Sequence, residues 1–160
     1  MTVIFHDEIS VASINALIEK LQPWDEVDLW FSSEGGETLA MEAFIHYLNS
    51  RRGITIHYTH TCDSCTVMLW YGFRGTQVLA HNFMCSYLHN IDVLVFTNRS
   101  KHAVQYSRQA DDVRRINKIF LKKLRGIGVK KEAIETVESG GEVILWRDDV
   151  KKLAPFSGAG

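Results

Sequence analysis

Short apolar runs alternate with amphipathic stripes along the first 60 residues. Val3-Ile4-Phe5 and Val27–Phe31 have the length and alternation of strands, and Ile54–Thr61 is rich in β-branched residues. Between these runs, apolar residues recur at helical spacing in two segments. The stripes consist of Ile14, Leu17, Ile18 and Leu21 in the first segment, and Leu39, Ala40, Ala43, Phe44, Tyr47 and Leu48 in the second. Strands that alternate with helices predict an α/β domain with a largely parallel sheet.

The apolar segment Val67–Tyr71 could by itself be a strand or a buried helix. We predict a helix, because parallel strands need a crossover between them. Two further strands are then expected near Gln77–Ala80 and Phe83–Leu88.

The second half of the chain is predicted to be mainly helical. Val93–Phe96 has the composition of one more extended piece. A long amphipathic helix is predicted from His102 to Leu124, and a short last helix should begin near Asp148 or Asp149. No internal repeat or linker interrupts the pattern, so residues 1–160 are expected to form a single domain.

Composition is ordinary for a globular protein, with 46% apolar and 23% charged residues. No apolar run approaches the roughly 20 residues that span a bilayer, and Asp7 and Glu8 lie where a signal peptide would be basic and then apolar. We therefore expect a cytoplasmic protein without a membrane partner. Its three cysteines, an odd number, are expected to be reduced thiols.

Charge is distributed unevenly, although the net charge is only −1. Residues 1–50 contain nine acids and one Lys, whereas residues 101–131 contain ten Lys or Arg and two Asp. This asymmetry is compatible with two solvated helix faces, with association of copies, or with nucleic-acid binding by the basic helix. Because that helix has few aromatic residues and no recognised motif, no nucleic-acid partner is expected.

Two turns carry the groups best suited to chemistry. In Ser32–Gly36, SSEGG, two glycines come where a strand gives way to a helix, so backbone N–H groups can approach an anion or an oxyanion. In Thr61–Thr66, TCDSCT, Ser64 stands at the start of a helix, where it is either an N-cap or a nucleophile. A nucleophile needs a base, and His89 follows the next apolar strand.

The same hexapeptide contains Cys62-x-x-Cys65, a spacing that is also found in redox pairs at helix starts. The usual neighbours of thioredoxin-like pairs are absent. Zinc is a further alternative, although no second tight pair completes a four-ligand spacing. The residue types that zinc accepts in this region are His57, His60, Cys62, Cys65, Cys85 and His89.

Taken together, these residues resemble a known family over nearly the whole chain. Ser33-Glu34-Gly35-Gly36 corresponds to a Ser-Pro-Gly-Gly motif, and Tyr87-Leu88-His89 corresponds to Met-Ile-His. The interval from Ser64 to His89, 25 residues, equals the usual spacing between serine and histidine in that family. The chain thus resembles the ClpP-like serine peptidases, the proteolytic subunits of Clp proteases with their phage and prophage relatives.

The resemblance implies a role for each matching residue. Ser64 becomes the nucleophile and His89 the general base, while the N–H groups of Gly36 and Cys65 form the oxyanion hole. The third triad member falls on Glu142, before the segment VILWRDDV, where the family usually has Asp. The chemistry needs no cofactor and no metal.

The resemblance also implies the fold and the partners. The fold would be a ClpP/crotonase-like arrangement of repeated β-β-α units, with the long helix and Val93–Phe96 forming contacts between stacked rings of a homo-oligomer. The substrate would be a peptide or an unfolded protein that adds along a strand edge, and an ATP-dependent unfoldase could deliver it.

Two alternatives stay open at this point. Thr61-Cys62-Asp63 replaces the family's small residues before the nucleophile, and an alignment fixed on Gly72 would put Asp63 in place of Ser64. A catalytically silent scaffold that keeps the fold and the assembly is therefore the main competing hypothesis. Acyl-thioester chemistry on a crotonase-type fold is the other, although the chain is short for it.

Overall fold

The computed structural model describes residues 1–90 and 103–158. Within these ranges, five strands and seven α-helices follow one another along the chain, with a 3₁₀ helix at Ser64–Val67 between the third strand and the third α-helix. The strands are β1 (Thr2–His6), β2 (Val27–Ser33), β3 (Ile54–Cys62), β4 (Thr76–Leu88) and β5 (Val143–Trp146). The helices are α1 (Val11–Leu21), α2 (Thr38–Asn49), α3 (Met68–Gly72), α4 (Ala103–Gly126), α5 (Lys131–Glu138), α6 (Arg147–Val150) and α7 (Ala154–Ser157).

All five strands form one sheet in the order β1-β2-β3-β4-β5. The first four strands are parallel, and β5 is antiparallel to β4. Because every parallel crossover moves one position in the same direction, right-handed crossovers place α1 and α2 on the same face of the sheet. This arrangement confirms the predicted α/β domain with a largely parallel sheet.

The core lies between the sheet and these helices. Leu29, Phe31 and Ile56 on the strands are fully buried, as are Met41 and Phe44 on α2. Residues that alternate with the core positions point to the other face, where Ile4 is 71% exposed. The strand alternation in the sequence therefore distinguishes the two faces correctly.

Ser10 is the N-cap of helix α1. Ser10 accepts a hydrogen bond from the Ser13 backbone at 3.0 Å, and Ser13 Oγ accepts one from the Ser10 backbone at 2.9 Å. This reciprocal pair is a capping box, in which Ser13 replaces the usual Glu or Gln. It fixes the path of the chain from β1 through Ile9, a residue that forms a backbone bridge with Gly36.

Strand β4 differs from the prediction. The sequence suggested two strands, Gln77–Ala80 and Phe83–Leu88, whereas the structure contains one strand that runs through His81 and Asn82. The register between β3 and β4 shifts next to His81 and Asn82, because these two polar residues belong to bulged backbone rather than to a loop. Arg147 donates hydrogen bonds to the backbone carbonyls of Ala80 and Phe83, which stabilises the bulge.

The C-terminal half contains elements that the sequence pattern did not predict. Helix α5 precedes β5, and β5 extends the sheet in the antiparallel direction. The short helix expected near Asp148 begins one residue earlier, at Arg147. The long helix α4 is confirmed, and the predicted extended piece Val93–Phe96 lies outside the described residues.

None of the helices in the described ranges has both the length and the apolar character that a bilayer crossing requires.

Candidate functional site

The two chemistry-rich turns meet at the carboxyl ends of β2 and β3. Ser33 and Cys62 are register partners, and the Asp63 N–H donates to Ser33 O at 3.0 Å. A Cβ atom added to Gly35 would lie 2.7 Å from Ser64 Cβ and 3.2 Å from Ser64 Oγ. The glycine turn therefore contacts the candidate nucleophile directly, at the sheet edge where open parallel sheets place their ligands.

The glycine turn is held open by a backbone bridge to Ile9. The Ile9 N–H donates to Gly35 O, and the Glu37 N–H donates to Ile9 O, both at 2.8 Å. Gly35 and Gly36 have φ angles of +108° and +142°, and a Cβ on Gly36 would lie 2.1 Å from Ile9 O. Only glycine fits both positions. Because Gly35 O points toward Ile9, the Gly36 N–H of the same trans peptide points away from the bridge.

Ser64 has an unusual backbone. Its φ angle is +55°, in the left-handed region that costs a non-glycine residue roughly 1 kcal/mol. The 3₁₀ helix that begins at Ser64 is capped by other groups, because Asp63 O accepts from the Thr66 N–H at 3.1 Å and from Thr66 Oγ1 at 2.6 Å. Among the described residues, no hydrogen bond involves Ser64 Oγ, so this hydroxyl does not act as an N-cap.

Asp63 is directed away from the glycine turn. Its side chain is buried, and Oδ1 accepts hydrogen bonds from the Tyr87 N–H at 2.8 Å and from Thr61 Oγ1. Burial raises the pKa of the Asp63 carboxyl and nearby Glu34 raises it further, whereas the hydrogen bonds from Thr61 and Tyr87, and the charge of His89, lower it. The side chain of Ser64, and not that of Asp63, therefore lies beside Gly35, which favours the alignment that makes Ser64 the nucleophile.

His89 follows the last residue of β4 and is half-buried. Its Nδ1 atom lies 2.7 Å from Asn90 O. A carbonyl oxygen can only accept, so this contact favours the neutral tautomer with hydrogen on Nδ1 and a free lone pair on Nε2. That tautomer is the one that a general base needs.

The hydrogen bond between Ser64 and His89 that the resemblance implies is not formed in the described residues. The structure brings Ser64 and His89 to the carboxyl ends of neighbouring strands, but no hydrogen bond joins them in residues 1–90. Catalytic hydrogen bonds are often long or misaligned in unliganded sites and shorten when substrate binds. The two residues are therefore near the same sheet edge without being paired.

Glu142 lies on the far side of the histidine. The antiparallel ladder ends with the pair Leu88 and Val143, so continuation of the register places Glu142 opposite His89. Its side chain is exposed, and no hydrogen bond between Glu142 and His89 is present in the part of the chain that the structure describes. The position fits the acid implied by the resemblance, whereas the contact is not made.

The cysteines of the hexapeptide are buried and free. Burial raises the pKa of Cys62 far above its usual range and that of Cys65 to about 11. Cys62 Sγ lies 3.2 Å from Thr66 Oγ1, and Cys65 Sγ lies 3.6 Å from Gly36 O. A redox thiol needs a lowered pKa and access, so this environment is unfavourable for the redox alternative.

Metal binding lacks a suitable cluster. Within residues 1–90 and 103–158, no group of three or more His, Cys, Asp or Glu side chains is arranged to hold an ion. The zinc alternative therefore gains no support from the described residues.

A cavity of about 540 Å³ opens beside the glycine turn. Carboxylates contribute much of its lining, and neither Lys nor Arg does, so an uncharged or cationic substrate segment suits it better than an acidic one. The lining residues are His6, Asp7, Glu8, Ser32, Ser33, Glu34, Gly35, Gly36 and Thr61. A larger cavity, of about 600 Å³, lies near the amino ends of the strands and is remote from Ser64.

No protein-family model matches the chain, and a search of curated proteins finds no matching sequence. The family resemblance seen in the motifs therefore stays a prediction. The residues at the carboxyl edge of the sheet are the main support for assigning a function.

Proposed function

We propose that the chain is a ClpP-like serine endopeptidase in which Ser64 attacks the carbonyl of a peptide bond. The observation that carries the proposal is the contact of Gly35 with Ser64, which places the candidate hydroxyl beside a turn of two glycines in open conformations. The Gly36 N–H lies outside the bridge to Ile9, where it is suited to an oxyanion.

The proposed chemistry proceeds in two steps. As Ser64 Oγ bonds to the carbonyl carbon, its proton moves to Nε2 of His89, and the N–H groups of Gly36 and Cys65 receive the oxyanion. His89 then returns the proton to the leaving amine, and a water molecule later hydrolyses the acyl-enzyme by the same route. Glu142 is the acid that the resemblance assigns to orient His89 through a hydrogen bond. In the structure, Nδ1 of His89 is bound to Asn90 O instead.

We further propose that the active form is a homo-oligomer, with stacked rings as the arrangement that the resemblance implies. The acidic segment 1–50 and the basic segment 101–131 support self-association through opposite charges. Native mass spectrometry should detect a defined oligomer that dissociates as salt is raised, because salt screens such contacts. A monomer at low salt would contradict this part of the proposal.

A fluorophosphonate probe tests the nucleophile. We expect the assembled protein to be labelled at Ser64 and to cleave fluorogenic peptides, and both activities should disappear in Ser64→Ala. Ser157→Ala is the matched control, because Ser157 is an exposed serine on α7 that lies outside the proposed site. Absence of labelling in assembled wild-type protein would refute the proposal.

A catalytically silent assembly subunit is the second candidate. The observation that favours it is the absence of a hydrogen bond between Ser64 and His89 in residues 1–90. A silent subunit should assemble normally and show no peptide cleavage that depends on Ser64. Cleavage that is lost in both Ser64→Ala and His89→Ala would exclude it.

A further inference from the structure

Most of the Lys and Arg side chains in residues 1–90 line a single cavity. This part of the chain contains ten Asp or Glu but only four Lys or Arg, namely Lys20, Arg51, Arg52 and Arg74. All three arginines line the cavity of about 600 Å³ at the amino ends of β2, β3 and β4, whereas Lys20 does not. Positive charge is therefore gathered at one place in an otherwise acidic part of the chain, as a site for an anion requires.

Arg51 is the fixed part of the cavity wall. It is half-buried, and its guanidinium donates hydrogen bonds to Tyr47 Oη at 2.7 Å and to Trp24 O. The guanidinium carbon also lies 5.7 Å from the centre of the Tyr47 ring. Because a guanidinium has five N–H donors, about three of them are left unused by these two hydrogen bonds. Arg51 therefore keeps free donors in a position that is already ordered.

Asn49 brings Arg74 to the same cavity. The Asn49 side chain donates to Gly72 O at 2.8 Å and accepts from the Arg74 N–H at 2.9 Å. These two hydrogen bonds join the turn before β4 to the end of α2, and Arg51 and Arg52 follow α2 directly. Arginines from two turns that are separate in sequence thus share one cavity.

Several further donors at this cavity have no acceptor. The guanidinium groups of Arg52 and Arg74 make neither a hydrogen bond nor an ion pair with any described residue. The backbone N–H groups of Arg52, Gly53 and Gly75 are likewise unbonded in residues 1–90 and 103–158. Guanidinium groups and backbone N–H groups are the donors that proteins use to bind phosphate oxygens.

The charges that face the cavity do not cancel. Two carboxylates, those of Glu26 and Asp28, line it together with the three arginines. Asp28 is already engaged, because its Oδ1 atom lies 2.8 Å from His57 Nε2. The remaining positive charges repel one another, and a bound anion would remove that repulsion.

We propose that this cavity binds a small phosphate-bearing molecule, with Arg52 and Arg74 in contact with the phosphate. Its volume lies within the range of small-molecule sites, roughly 300–1,000 Å³. The site lies at the opposite end of β3 from Ser64, and the nine residues of that strand span roughly 25–30 Å. The phosphate compound is therefore a ligand distinct from the peptide substrate, and its binding does not depend on the proposed peptidase function.

Inorganic pyrophosphate is the probe, because it has the charge of a phosphate compound without any other group. Isothermal titration calorimetry of the full chain, at one fixed ionic strength, should show saturable binding. Arg52→Gln and Arg74→Gln should each weaken binding about 10- to 100-fold, the effect of losing a hydrogen bond to a charged group. Both side chains are exposed, so neither substitution should lower the Tm of the unliganded protein.

Lys20→Gln is the matched control. It removes the same charge from an exposed position outside the cavity and should change the affinity less than about twofold at that ionic strength. Equal weakening in Lys20→Gln and in Arg74→Gln would show that only the overall charge matters, which would overturn the proposal. Absence of saturable binding at about 1 mM pyrophosphate would overturn it as well.

ADP distinguishes the two sources of this chemistry. If ADP binds at least about tenfold more tightly than pyrophosphate and loses affinity in Arg52→Gln and Arg74→Gln, the ligand is a nucleotide. If the two bind equally, the phosphate chain alone is recognised, and the proposal again stands. A single-stranded oligonucleotide that binds through the same two arginines while pyrophosphate does not would replace the small molecule with nucleic acid and contradict the proposal.

Discussion

Gly35→Ala tests the contact on which the candidate site depends. The added Cβ would lie 2.7 Å from Ser64 Cβ, 3.2 Å from Ser64 Oγ and 3.3 Å from Asp63 O, so something must move. The φ angle of +108° adds backbone strain of roughly 1 kcal/mol, and overpacking typically adds about 1–3 kcal/mol. We therefore expect the free energy of unfolding to fall by about 2–4 kcal/mol. For a chain of this size, that loss lowers Tm by about 4–16 °C.

Gly140→Ala measures the cost of backbone strain without a steric contact. Gly140 has a comparable φ angle of +90°, and a Cβ there meets nothing within 4 Å. Its substitution should cost only the backbone term, roughly 1 kcal/mol. Urea unfolding followed by tryptophan fluorescence, at one protein concentration for all variants, measures both costs without a shift from self-association. The difference between them is the cost of the close contacts with Ser64 and with Asp63 O.

A double-mutant cycle with Ser64→Gly decides the interpretation. Glycine removes the Cβ that Gly35→Ala would strike and also accepts the φ angle of +55°, so Ser64→Gly should be neutral or stabilising by itself. In that background Gly35→Ala should cost at least about 1 kcal/mol less than in wild type. If the two effects add within about 0.5 kcal/mol, the turns are not in contact and the proposed site loses its main support.

Three further predictions follow from individual side chains. Because burial raises the pKa of Cys65 to about 11, Ellman's reagent should react with native protein at least about 100-fold more slowly than with urea-unfolded protein; rapid native reaction would contradict this. Burial raises the pKa of Asp63 above 3.8 in the folded state, so the free energy of unfolding of wild type should fall relative to that of Asp63→Asn as pH rises through that value. If urea titrations give the same difference in unfolding free energy between the two proteins at about pH 4 and at about pH 8, the prediction is wrong. Arg147→Met leaves the carbonyls of Ala80 and Phe83 without their donor and should lower the free energy of unfolding by about 1–3 kcal/mol, whereas a change below about 0.5 kcal/mol would show that the bulge does not need it.

The elements around the site could be predicted because their signals are local. Alternation identifies β1, β2 and β3, and a serine before an apolar stripe identifies the start of α1. The rule that parallel strands end at the same edge then predicts that the turns after β2 and β3 lie close together. Gly35 and Ser64 are in contact, as that rule requires.

The partner of the histidine could not be predicted in the same way. Glu142 was assigned by resemblance alone, and the strand that places it opposite His89 is only four residues long. The direction of the Asp63 side chain could not be predicted either. Its direction depends on the Tyr87 amide, 24 residues away, and no local pattern shows a contact of that kind.

The turn after β3 contacts two neighbours at once, and the backbone that leads to it is bulged. From Phe31 to Ser33, β2 advances two residues, whereas the paired segment of β3, from Tyr58 to Cys62, advances four. The segment of β4 that pairs with this part of β3 is longer still. Extra residues bend a strand and increase its local twist. His60, at the bend, has a φ angle of +50°. Because β3 lies between β2 and β4 in the sheet, the residues after Cys62 contact the glycine turn on one side and the Tyr87 amide on the other.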